Sequence, residues 1–252
     1  MGMPVGVDVC DSHVDAETVE RVFEWLRFVD ATFSTYREDS EISRLNRGEL
    51  ALEQTHSAVR SVLRRCERLR VRTDGYFDIR APLASTGEAG VKADVGRPID
   101  PSGLVKGWSV AGAARILDRA GAGNYCVNAG GDVSLRGLSW DGEPWRVGIQ
   151  HPRIRDRLAA VLVASDVGIA TSGAYERGEH IVDPHTGSPS EGVLSVTVVG
   201  PDVATADAYA TAAYAMGPQG AQWCARLRDY AAMVMLVDDT VLSTPAMSRY
   251  RA

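Results

Sequence analysis

An aspartate and a threonine, Asp207 and Thr211, stand four residues apart in the segment ATADAYATAAYAMG. On a helix that spacing puts a carboxylate and a hydroxyl on one face. Both are hard oxygen ligands of the kind a magnesium ion accepts, with water and substrate phosphate completing its shell. The same pair arises by chance on many solvated helix faces, so it carries meaning only with partners. Lys106, between Val105 and Gly107 in an otherwise apolar segment, is a candidate. A lysine flanked by glycine can reach a phosphate or carboxylate; it can equally lay its stem along the edge of the core and keep its ammonium in water. HIVDPHTG, from His180 to Gly187, offers another. Asp183-Pro184 favours a turn and Gly187 permits a positive φ, so a strand ending in a tight polar turn would hold His180 and Asp183 in place. Imidazole can accept a hydroxyl proton near neutral pH, which makes His180 the candidate general base. His13, His56, His151 and His185 are read as structural.

Two further segments have a chemical and a plain reading. TSGAYER (171–177) presents Thr171, Ser172 and Gly173 after a strand, suited to phosphate or ribose, or simply a polar hairpin loop. Gly130-Gly131-Asp132 follows the strand YCVNA as a close-approach loop beside a cofactor or as an ordinary β-turn. It is no dinucleotide fingerprint, because no G-x-G-x-x-G opens a helix here. G-x-S-x-G, H-E-x-x-H and the P-loop are all missing from the chain, which leaves hydrolase-triad, zincin and NTPase readings without support.

These residues need a scaffold. The chain has 252 residues, ample for a buried core, with 45% hydrophobic and 24% charged residues, as in globular proteins. Its net charge is −6 and its basic residues form no long run, so no nucleic-acid partner is expected. Cys10, Cys66, Cys126 and Cys224 make no C-x-x-C pair and are read as reduced, mostly buried thiols. No apolar run approaches the roughly 20 residues of a membrane span, and MGMPVGVDVC lacks the basic start of a signal peptide; a cytoplasmic location is expected. Residues 4–10 read as a strand. Asp15 caps a helix with Val19, Val22, Phe23, Leu26 and Val29 or Phe28 on one face, a short helix begins at Asp39 or Ser40, and a third begins at Thr55 or Ser57. A turn at Asp74-Gly75 leads into a strand at 76–80, and 103–120 is a helix. Strands are expected at 124–128, 132–136, 145–150, 158–164, 193–199, 232–237 and 241–243, with helices at 204–217 and near 218–229. The pattern predicts one α+β domain over 1–252, a mostly antiparallel sheet with helices packed on it.

Seven strings in order, FSTYREDSEISRLN, DGYFD, GLVKGWSVAG, NAGGD, TSGAYER, HIVDPHTG and ADAYATA, resemble the ApbE-type FAD:protein FMN transferase family. With MGMP at the start, the resemblance covers most of the chain. It implies an ApbE-like fold and an enzyme that binds FAD and Mg²⁺, passes the FMN half to a Ser or Thr hydroxyl of an acceptor flavoprotein, and releases AMP. In that frame Asp207, Thr211 and the main-chain carbonyl of Val105 resemble metal ligands, and His180 resembles the base. Met1, Tyr36, Tyr76, Phe77 and Asp78 match positions lining flavin or adenine. Lys106, Gly130, Gly131, Thr171, Ser172 and Gly173 fall in cofactor-pocket segments. The chain departs from the family at Ala111 and Ala174, where acidic residues are usual, and in a shorter segment between DGYFD and GLVKG. A FAD pyrophosphatase giving FMN and AMP, or a non-catalytic FAD-binding protein, would use the same residues.

Overall fold

The computed structural model describes residues 2–81, 96–154, 156–173 and 181–251. Seven strands form one sheet: β1 (Val5–Val9), β2 (Tyr125–Ala129), β3 (Asp132–Arg136), β6 (Gly168–Gly173), β7 (Val193–Gly200), β8 (Ala231–Leu236) and β9 (Val241–Ser243), adjacent in that order and antiparallel throughout. A second sheet pairs β4 (Trp145–Gln150) with β5 (Leu158–Ala164).

Strand side chains alternate between faces, and the buried residues sort accordingly. Ala170, Val198, Ala232 and Val234 join a core with the helices, while Ile169, Val199, Ala231 and Met233 join a second core under β4 and β5. The helical layer contains α1 (Ala16–Phe33), α2 (Glu41–Asn46), α3 (Ser57–Arg72), α4 (Ser102–Arg119), α5 (Val203–Ala215) and the short α6 (Gly220–Cys224). Asp15 caps α1 by accepting from Thr18 N, and Ser40 caps α2 by accepting from Ser43 N. α3 starts at Ser57, one of the two expected starts, and its cap is His56, whose Nδ1 accepts from Ala58 N at 3.1 Å.

Three expectations are corrected. Residues 76–80 are not a strand. Asp74 and Gly75 both take positive φ, Phe77 N donates to Thr73 Oγ1, and Arg80 N donates to Asp78 Oδ1, so the chain folds back over the end of α3. Thr171, Ser172 and Gly173 lie inside β6 and not in a loop after it. Near 218–229, only Gly220–Cys224 is α-helical. In HIVDPHTG, the described part makes a single bridge, Val182 to Pro189, around a turn in which Gly187 N donates to Asp183 O at 2.7 Å. Cys66 and Cys224 are buried, Cys10 and Cys126 are half-buried, and all four are free thiols. Among the described residues, no helix is long and apolar enough to cross a membrane.

Candidate active site

The helix α5 begins at Asp202, which accepts from Thr205 N at 3.0 Å and is paired with Arg65 of α3. Nearly every residue of α5 is buried, Asp207 among them at 2% exposure. Its alanines admit close neighbours, and α4 answers with glycine. A Cβ at Gly107 would lie 2.7 Å from Val203 O and 2.8 Å from Asp207 Cβ, and one at Gly103 would lie 3.3 Å from Thr211 Oγ1. With no side chain in the way, Gly107 N donates to Asp207 Oδ2 at 2.8 Å. One helix therefore orients the carboxylate that the other carries.

The Gly130-Gly131 turn, both residues at positive φ, delivers Asp132 to the start of β3. Asp132 is fully buried. Lys106 Nζ lies 2.9 Å from Asp132 Oδ1 and 4.0 Å from Asp207 Oδ1. The first contact is close enough for an ion pair but poorly aligned, so among the described residues neither Asp132 oxygen has a well-directed donor. Burial pushes the Asp132 carboxyl well above the usual carboxylate range; the Asp207 charge adds to this and the Lys106 ammonium opposes it. From β6, Ser172 Oγ comes within 3.3 Å of Thr211 Oγ1, while Thr171 Oγ1 meets Thr197 Oγ1 of β7 at 3.0 Å.

These groups meet in one cleft. Asp207, Thr211 and Lys106 lie beside Thr171, Ser172 and Gly173 of β6. Tyr76, Phe77 and Asp78 form a second wall, with Val182 and Pro184 nearby. A neighbouring cleft holds Gly130, Gly131, Asn128 and the chain start at Gly2–Pro4, and Lys106 and Thr171 line both clefts. Asp207 and Thr211 supply the hard oxygens that magnesium takes, and Mg²⁺ usually keeps several waters and few protein ligands. Among the described residues, no three His, Cys, Asp or Glu side chains gather for a metal. Val105 has its side chain buried in the core, leaving only its carbonyl to serve. Tyr36 is 87% exposed and is not among the residues lining either cleft. Met1 and His180 lie outside the described residues.

The family profile described as "ApbE family" matches residues 1–86 and 85–234. The chain belongs to the ApbE family. Among curated proteins, this ApbE-family chain is 29% identical to the FAD:protein FMN transferase of Vibrio cholerae, over 96% of the chain and 85% of that protein. It is 28% identical to the FAD:protein FMN transferase of Escherichia coli K12, over 91% of the chain and 79% of that protein. Among solved structures, the flavin transferase ApbE from Vibrio cholerae superposes with a TM-score of 0.82 at 25% identity, covering 99% of this chain and 96% of that one. An ApbE protein of Thermotoga maritima gives 0.84 at 23% identity, over 100% and 96%, a likeness of fold. The α+β architecture with its antiparallel sheet is thus the ApbE flavin transferase fold.

Within this ApbE-family site, Asp132 enters the sequence reading only as the end of Gly130-Gly131-Asp132, a close-approach loop beside a cofactor or an ordinary β-turn, with no role of its own. Its only sequence signal is an acid directly after Gly-Gly and before the inward-facing Val133. Asp100 and Ser102 also line the cleft and carry no sequence signal, and Gly103, the first residue of GLVKGWSVAG, lines it as well.

Proposed function

We propose that this chain is an FAD:protein FMN transferase that moves the FMN half of FAD to a Ser or Thr hydroxyl of an acceptor flavoprotein and releases AMP. The observation that carries the reading is the meeting of Asp207, Thr211, Lys106 and Ser172 in one cleft of an ApbE-family chain. The acceptor oxygen bonds to the FMN phosphorus, the bond from that phosphorus to the bridging oxygen breaks, and the bridging oxygen leaves with AMP. The hydroxyl proton goes to His180, the base the family motif supplies; a neutral hydroxyl is a weak nucleophile, and a positioned base assists its attack. A magnesium ion held by Asp207, Thr211 and the Val105 carbonyl would neutralise charge on the pyrophosphate oxygens.

The chain's own residues account for the rest. Gly107 fixes the Asp207 carboxylate before substrate arrives, so no reorientation is needed during the reaction. Lys106 offers its ammonium where the two clefts meet, and Asp132 holds it there. Tyr76 and Phe77 give the cleft aromatic surface against which a planar ring can pack. The acceptor works in the compartment where this enzyme resides, which we take to be the cytoplasm.

The test is to incubate the protein with FAD, Mg²⁺ and candidate flavoproteins of the same cell and to weigh each acceptor. An FMN-sized mass gain matched by an equal amount of AMP is expected. FMN and AMP released into solution at the same rate with no acceptor would mark a pyrophosphatase, and tightly held, intact FAD would mark a carrier. His180→Ala is expected to abolish transfer while FAD binding persists; undiminished transfer would remove His180 from the base role.

A further inference from the structure

His185 lies within HIVDPHTG but has no role in the proposed reaction, and its side chain is 48% exposed, so core packing does not account for its placement. Its contacts do. Ring atom Nε2 lies 2.9 Å from the Asp74 carbonyl oxygen, 111 residues away in sequence. Nδ1 lies 3.1 Å from Asp183 Oδ1, the same oxygen that accepts the His185 main-chain N–H at 2.8 Å. The ring packs on Tyr76, with centroids 4.4 Å apart and planes at 59°. Gly75 leaves room for it: a Cβ there would come within 3.2 Å of Nε2. Both polar partners are acceptors, so a neutral ring donates to one of them and the imidazolium to both. The Tyr76 contact is made in either form.

These contacts join two turns that lie far apart in the sequence. One is the turn after α3, where Gly75 N donates to Arg70 O and Tyr76 N to Thr73 O. The other is the Asp183–Gly187 turn. Tyr76 from the first and Pro184 from the second both line the cleft. An aromatic wall carried on an irregular turn has no ladder of strand bonds to hold it; Tyr76 packs against the helical core, and the His185 ring adds a contact from the other turn.

We propose that His185 is a positioning residue: it latches the Asp183–Gly187 turn to the turn at Asp74–Tyr76 and thereby sets Tyr76 as the wall against which a ring of FAD packs. The latch stands on the contacts above; its effect on FAD rests on the proposed function. The experiment has one arm for each. In the ligand-free protein, His185→Ala is expected to speed amide exchange at Gly75, Tyr76 and Gly187 about tenfold or more, with the amides of α5 unchanged. Unaltered exchange at the two turns would overturn the latch. In the second arm, FAD affinity is read from flavin fluorescence for wild type, His185→Ala, Tyr76→Ala and the double variant. If His185 acts through Tyr76, its loss weakens FAD binding about five- to tenfold in the wild type and less than twofold once Tyr76 is gone. Additive losses, or FAD affinity untouched by His185→Ala, would overturn the positioning role. His185→Phe, which keeps a ring and drops both hydrogen bonds, runs through the same arms should the alanine variant fail to fold. A wild-type protein that binds no FAD would defeat the proposed function, and the exchange arm would still decide the latch.

Discussion

Asp132 sits fully buried between a lysine and a second carboxylate, and its two oxygens lack well-aligned donors among the described residues. A buried acid in that position persists because it holds something else, here the Lys106 ammonium. Asp132→Asn keeps the shape and removes the carboxylate that faces Lys106 once the pH lies above its raised folded value. We expect kcat/KM for transfer to fall about ten- to a hundredfold, as when a supporting partner of a site group is lost; a change under twofold would make Asp132 a packing residue. Its titration gives a second prediction. With its carboxyl held above the ordinary range, the folded chain keeps a proton that the unfolded chain releases near pH 4. Stability therefore falls as pH rises from the unfolded value through the folded one, and Asp132→Asn flattens that fall. Urea midpoints across pH 4–8 check the sign. Asp207 and Thr211 were legible in the sequence because helical spacing alone puts them on one face. Asp132 was not, because its burial and its lysine come from strands and helices far apart in the chain. The same holds for His185, whose partner at Asp74 belongs to another turn.

At the scale of elements, the crossing of α4 on α5 decides where the carboxylate points. Gly107 meets backbone atoms of Val203 and Ala204 and has no flexible neighbour to displace, whereas Gly103 meets the Phe77 ring and the Thr211 side chain at 3.3 Å. Gly107→Ala is expected to destabilise the protein by about 1–3 kcal/mol and to cut transfer further by moving Asp207. Gly103→Ala should be milder in stability. Equal melting temperatures for the two would refute this account of the crossing. The N-terminus of α5 adds a smaller term. Burial would raise the Asp202 carboxyl, but Thr205 and Arg65 outweigh it and leave it below the usual range. Its contribution is therefore present above about pH 4 and lost as pH falls through the lowered folded value. Asp202→Ala should cost about 1 kcal/mol, the worth of a helix cap, at neutral pH and less in acid. Helix starts at Asp15 and Ser40 were legible because a capping side chain is a local signal. The stretch 76–80 looked like a strand because its residue types suit one, yet the positive φ at Asp74 and Gly75 turns it back over α3, which no periodicity reveals.

At the scale of the whole molecule, two clefts meet at Lys106 and Thr171, one walled by Tyr76 and Phe77 and the other by the Gly130-Gly131 turn. FAD has a ring system at each end and a pyrophosphate between. If it spans both clefts, its charged middle lies at Lys106 and each half alone forfeits the contacts of the other. Thermal shifts without divalent metal, where the proposed reaction lacks its metal, read this directly. FAD at about 100 times its Kd should stabilise the fold by about 2.7 kcal/mol, a rise of roughly 5–10 °C for a chain of this size. FMN and AMP at the same concentration should each give distinctly less. Lys106→Met should narrow the gap between FAD and its halves, because the contact it removes is made at the pyrophosphate. An FMN shift as large as that of FAD would mean that one cleft holds the whole binding energy. The second cleft would then be left to the approach of the acceptor.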